Sequence, residues 1–116
     1  MMYTAHIDNM KAGWFIGAFS PAAFKTGACE VCYRTHPKGE YWAPHVHLES
    51  TEVNLITKGL MKFQDQILRE GDIFVVPPWS ISNPEFIEDT TIVCVRLPGK
   101  INDKVEIEFK NKENKE

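Results

Sequence analysis

The chain has 116 residues, 43% of them hydrophobic and 25% charged, with a net charge of −3. That length holds one globular domain and no second core. A slightly acidic chain gives no basic footprint for nucleic acid, and no apolar run approaches the roughly 18 residues that span a bilayer. The opening MMYTAHIDNMKAGWFIG has neither a basic leader before an apolar block nor a small-residue cleavage site, so a cytoplasmic protein with no membrane partner is expected.

The first element is an apolar arm, KAGWFIGAFSPAA, at about 11–23. A surface exposing Trp14, Phe15, Ile16 and Phe19 would be an association liability. The arm either packs on the body of the domain or helps to form a homodimer, and the dimer is favoured because so small a chain has little spare core to cover it. Next comes CEVCYRTH, which reads as a strand. Its C-x-x-C pair, Cys29 and Cys32, is separated by three positions, which on a strand sends the two side chains to opposite faces. With Cys94 the cysteine count is odd, so structural thiols are expected, not a disulfide framework or a redox pair.

Further along, EVNLIT, IFVVP and TIVCVRL are runs rich in β-branched residues. Turn signals separate them, at Pro37–Gly39, Lys58–Gly59, Asp65–Gln66, Glu70–Asp72, Asn83–Pro84, Glu88–Asp89 and Pro98–Gly99. Many short strands with regular turns predict an all-β sandwich or barrel. The closing KNKENKE has no apolar residue. Residues 1–109 are therefore expected to form the single domain and 110–116 a frayed tail.

The segment GEYWAPHVHLESTEVNLITKG, Gly39 to Gly59, carries the chemistry. His45 and His47 share parity, so on a strand both face one way, about 7 Å apart at their Cα positions. Pro44 before them argues for a strand start. Glu52 opens the returning strand and can face the same way. Two neutral imidazoles and a carboxylate suit Zn, Fe, Mn or Ni as the divalent ion. Such a set, with open positions, serves oxygen activation or Lewis-acid and hydrolytic chemistry.

The spacing resembles the first motif of the cupin superfamily at every position: Gly39, five residues, His45-x-His47, four residues, Glu52, six residues, Gly59. Gly71, five residues and Pro77 fit the start of the second motif. The resemblance implies a cupin-type double-stranded β-helix, a jelly-roll barrel, with a metal on His45, His47 and Glu52 and a small ligand bound at one mouth. The second motif then departs from the family. Trp79 replaces its glycine, Ser82 the histidine that would be a fourth ligand, and Phe86 its asparagine. A serine hydroxyl is a poor ligand for such an ion. The fourth corner is left to water or substrate, or to His36 or Cys94; otherwise the histidines do metal-free acid–base work.

Asn54 shares parity with Glu52 and is expected to face the interior, and Arg96 shares a face with Ile92 and Cys94. Both are candidate ligand contacts, as are His36 and Trp79, and for Arg96 pairing with a carboxylate is the favoured alternative. Tyr41, Trp42 and Phe63 are further candidates for the pocket wall. The leading expectation is a metal enzyme acting on a small polar metabolite. Its alternatives are a metal-free isomerase or epimerase of nucleotide-linked keto-sugars, with His45 or His47 as base and Tyr33 or Tyr41 as acid, and a non-catalytic small-molecule sensor.

Overall fold

The structure, a computed structural model, describes residues 1–108; the expected frayed tail lies outside them. After a short 3-10 turn at Ile7–Asn9, the described residues form eleven strands. These are β1 Trp14–Gly17, β2 Phe24–Lys25, β3 Glu30–His36, β4 His45–His47, β5 Thr51–Lys58 and β6 Leu60–Phe63. There follow β7 Gln66–Arg69, β8 Ile73–Val76, β9 Glu85–Phe86, β10 Thr90–Leu97 and β11 Lys104–Glu106. Among the described residues no helix is long and apolar enough to cross a membrane.

Six strands make one sheet in the order β2-β1-β3-β10-β5-β8, three make a second in the order β7-β6-β9, and β4 pairs with β11. Bridges from Tyr41 to Glu85 and from His45 to Ser82 tie the flanks of β4 to those of β9. The core lies between the layers. Ile56, Val76 and Ile92 come from the six-stranded sheet and Met61, Phe63 and Phe86 from the three-stranded one. Ile56, fully shielded, is the kind of β-branched residue that fits a pleated, buried surface.

Register decides which residues meet inside. On one inward row Val76, Glu52, Arg96 and Glu30 are consecutive cross-strand partners, and on the next Phe74, Asn54, Cys94 and Cys32. Side chains alternate across a strand, so the residues between these rows face outward. There Ile73, Leu55, Val93 and Tyr33 form one row and Val75, Val53, Val95 and Val31 the other.

The turns fall where the chain needs left-handed backbone. Gly59 joins β5 to β6 at φ 111°, and a Cβ there would stand 2.4 Å from the Asp89 carbonyl oxygen. Only glycine fits both demands. One turn differs from expectation by a residue: Gln64 and Asp65 adopt φ 47° and 65°, and Gln66 already begins β7. The arm does not stand free. Its Trp14–Gly17 stretch pairs antiparallel with β3, with a bulge between Trp14 and Ile16.

Candidate metal and ligand site

His45 and His47 sit on β4, both buried, at 5% and 2% exposure. Their rings meet edge to face with centroids 5.3 Å apart. The Nδ1 of His45 lies 3.0 Å from the Ala43 carbonyl oxygen. A carbonyl only accepts, so Nδ1 carries the proton and Nε2 keeps its lone pair. Burial, with the charge of Lys104 adding to it, holds the His45 pKa below the usual histidine range.

His47 has neither ring nitrogen hydrogen-bonded. Its Nε2 is 3.5 Å from Glu52 Oε2, and its Nδ1 is 3.8 Å from Asp103 Oδ2. A buried imidazole without partners costs about 1–3 kcal/mol per orphaned group. Burial, then the nearby Arg96 charge, lowers its pKa. Asp103 is fixed in place because it accepts the backbone N–H groups of Glu49 and Ser50. A carboxylate behind one nitrogen of a histidine is the usual arrangement for aiming the other nitrogen at an ion.

Glu52, opening β5, has both carboxylate oxygens engaged. Arg96 Nε donates to Oε2 at 2.9 Å and Asn54 Nδ2 to Oε1 at 3.2 Å. Burial pushes the Glu52 pKa up, but Arg96, by charge and hydrogen bond, outweighs it and holds the carboxyl below its ordinary range. Arg96 also reaches Glu30 at 3.4 Å and stacks on Trp14 at 4.5 Å. The inward row of the sheet places Arg96 between the two carboxylates.

Of these groups, His47, Glu30 and Asp103 face a recess on the other side, and the rest of the site opens onto a cavity of about 90 Å³ inside the barrel. His45, Glu52, Asn54 and Arg96 line its polar end. His36 lines it too: its ring stacks on Phe86 at 4.5 Å, and its Nδ1 lies 2.6 Å from Glu40. Burial lowers the His36 pKa against that carboxylate's pull. Trp42 and Phe63 complete the wall as expected. Cys32 and Cys94 also face inward. Burial pushes the Cys32 thiol up to about 11 and the Cys94 thiol up as well. Both are inert thiols at neutral pH, and the three cysteines are free.

Three expected contacts are corrected. Tyr33 is out of phase with Cys32, Arg34 and His36 on β3, so it lies on the outer face, 45% exposed, and cannot act as an acid in the cavity. Trp79 is 69% exposed at φ 68° and borders an outer surface groove with Pro44 and Gln64. It neither narrows the cavity nor stacks within it. Tyr41, 79% exposed, is also outside. Ser82, in contrast, lies beside β4. It exchanges backbone hydrogen bonds with His45 at 3.1 and 2.7 Å and lines the same cavity.

The donor types fit a divalent cation. Among the described residues His45 Nε2 and both His47 ring nitrogens have no hydrogen-bond partner, and Glu52 Oε2 adjoins His47 Nε2; an ion there would satisfy that one of the two orphaned His47 nitrogens. The cradle is not closed, however. Among the described residues no three His, Cys, Asp or Glu side chains are grouped to hold an ion, and Arg96 already shares the Glu52 oxygen.

Sequence reasoning missed Glu30 and Asp103, and it expected a carboxylate partner for Arg96 without naming Glu52. Glu30 shares parity with Cys32, Arg34 and His36, which was the available signal. Asp103 follows β10 in a loop and had none.

The fold is that of the cupins, the double-stranded β-helix. The chain superposes on an uncharacterized conserved protein with a double-stranded β-helix domain from Klebsiella pneumoniae, with TM-score 0.64 and 22% identity over 72% of this chain and 74% of that one. An RmlC-like cupin protein from Desulfovibrio desulfuricans matches with TM-score 0.54 and 16% identity over 63% and 74%. The DMSP lyase DddQ from Ruegeria pomeroyi matches 80% of this chain at TM-score 0.63 and 17% identity, and the match spans 49% of that protein. No family model and no curated protein sequence matches the chain.

Proposed function

We propose that the chain is a metal-binding cupin that acts on a small polar metabolite, with a divalent cation held by His45, His47 and Glu52. The observation that carries this reading is His47: 2% exposed, bonded at neither nitrogen, and 3.5 Å from a carboxylate oxygen. Bound there, the ion supplies Lewis-acid polarisation of a carbonyl, or oxygen chemistry if it is iron. The chain's own residues do the rest. Ala43 fixes the tautomer of His45 so that Nε2 faces the cavity, Asn54 and Arg96 hold the Glu52 carboxylate in place, and Phe63, Phe74 and Phe86 exclude water from the inner end. The cupin fold and its likeness to a lyase support the reading. Calorimetric titration of Zn(II) and Mn(II) into chelator-treated protein tests it: one ion per chain is expected, and lost in His47→Ala. No uptake by the parent chain would overturn it.

One observation favours a second reading, in which no metal is used. Arg96 is a permanent cation already seated on Glu52. His45 then serves as a base whose open Nε2 takes a proton beside a carbonyl, as in keto-sugar isomerisation. The same titration separates the two readings, because only the first requires uptake.

A further inference from the structure

A second, larger recess adjoins the site. It has a volume of about 620 Å³ and lies between the arm and the segment Lys100–Lys104, within the size range of small-molecule pockets. Its floor is His47 and Arg96. Trp14 and Arg96 line both this recess and the inner cavity, so the two are chambers on either side of one partition.

Four cations line the outer chamber, Lys11, Arg96, Lys100 and Lys104, against two carboxylates, Glu30 and Asp103. Glu30 pairs with Arg96, which also holds Glu52, and Asp103 accepts backbone N–H groups while keeping its charge. Lys100 is paired with Glu49 at 3.1 Å, with both side chains about half exposed, a pair worth little in water. Lys104 lies 4.9 Å over the Trp42 ring. The lining of the recess thus carries four cations against two carboxylates, and Lys11 and Lys104 are the two without an ion-pair partner among the described residues. At its floor is a buried histidine with two unpartnered nitrogens.

We infer that the outer chamber is the entrance and binding site for a small organic anion carrying a carboxylate or phosphate group. The anionic group rests against Lys100 and Lys104, and the rest of the molecule reaches inward past Trp14 and Arg96. This rests on the proposed site at His45 and His47 and names its substrate class. The lysines supply charge-assisted contacts, and steering by their field falls with added salt.

The test follows the backbone amides of Lys100–Lys104 and the Trp14 indole N–H by NMR during titration with inorganic phosphate, succinate and glycerol 3-phosphate. Glycerol serves as the neutral control. Saturable shifts are expected with at least one anion and not with glycerol, weakening with salt and by about tenfold in the Lys100→Gln/Lys104→Gln variant. Zn(II) uptake, measured on the same samples, should persist at one ion per chain in that variant, since neither lysine is a ligand. The inference is overturned if no anion shifts these signals, if glycerol shifts them equally, or if the double variant binds as the parent does. Anion binding without metal uptake would sink the metal reading alone, and metal uptake without anion binding would sink this one alone.

Discussion

Arg96 and Glu52 are joined by a hydrogen-bonded ion pair, Nε to Oε2 at 2.9 Å, at the centre of the barrel's polar end. They are direct cross-strand partners of β10 and β5, and Glu30 is the partner of Arg96 on its other side. The single guanidinium therefore bridges two carboxylates that are 5% and 8% exposed. Removing one member of a buried pair leaves an uncompensated charge and costs about 3–5 kcal/mol. Arg96→Gln should accordingly lower unfolding stability by about 3 kcal/mol, read from the urea midpoint. A loss below about 1 kcal/mol, as for surface pairs, would show that the pair is not structural.

Ser82 adjoins His45 through two backbone hydrogen bonds and lines the same cavity. Imidazole is a far better ligand than a hydroxyl. Ser82→His should therefore tighten Zn(II) binding by about tenfold or more, measured by competition with a chromophoric chelator. Unchanged affinity would place the ion away from β4's partner segment.

Acid should destabilise the metal-free protein in two stages, and the sign follows from the protons. His36, His45 and His47 all have pKa values lowered by burial in the folded state. As pH falls below about 6.5, the unfolded chain takes up protons that the folded chain refuses, and stability drops. Glu52, held down by Arg96, and Asp103, held down by the Ser50 and Glu49 amides, have lowered pKa values despite burial. Their contribution is full above the unfolded carboxyl range and is lost as pH falls through their folded values. Urea midpoints should thus decline from pH 7.5 to 5 and decline further toward pH 3. A flat profile between pH 7.5 and 5 would contradict the burial of the three histidines as neutral groups.

Gly59→Ala should cost about 2 kcal/mol or more. It adds left-handed strain to a Cβ contact that the Asp89 backbone cannot relieve. Thermal unfolding would show it, and an unshifted midpoint would mean that the β5–β6 turn relaxes.

Much of the fold was legible because strand parity and turn glycines are local signals. His45 and His47 on one strand, Glu52 and Asn54 facing inward, and Arg96 in phase with Ile92 and Cys94 all follow from a period of two, and all are observed. Tyr33 shows the limit. Its own parity placed it outside once β3 was known to begin at Glu30, but the aromatic ring suggested a catalytic acid and parity was not applied. Trp79 depended on a loop with left-handed backbone, and Asp103 on a contact across more than fifty residues. Neither leaves a local trace. The Arg96–Glu52 pair needed the register of β10 against β5, which hydrophobic pattern alone does not fix.

The most direct test of the central claim is metal content. Untagged protein, purified without added metal, should be analysed by plasma mass spectrometry beside His45→Ala. Near-stoichiometric metal in the parent and its loss in the variant is the predicted result, and the element found selects between oxygen chemistry and Lewis-acid chemistry. A parent that carries no metal and takes up none on reconstitution would contradict the metal reading and leave His45 as a proton-transfer base beside the Arg96–Glu52 pair.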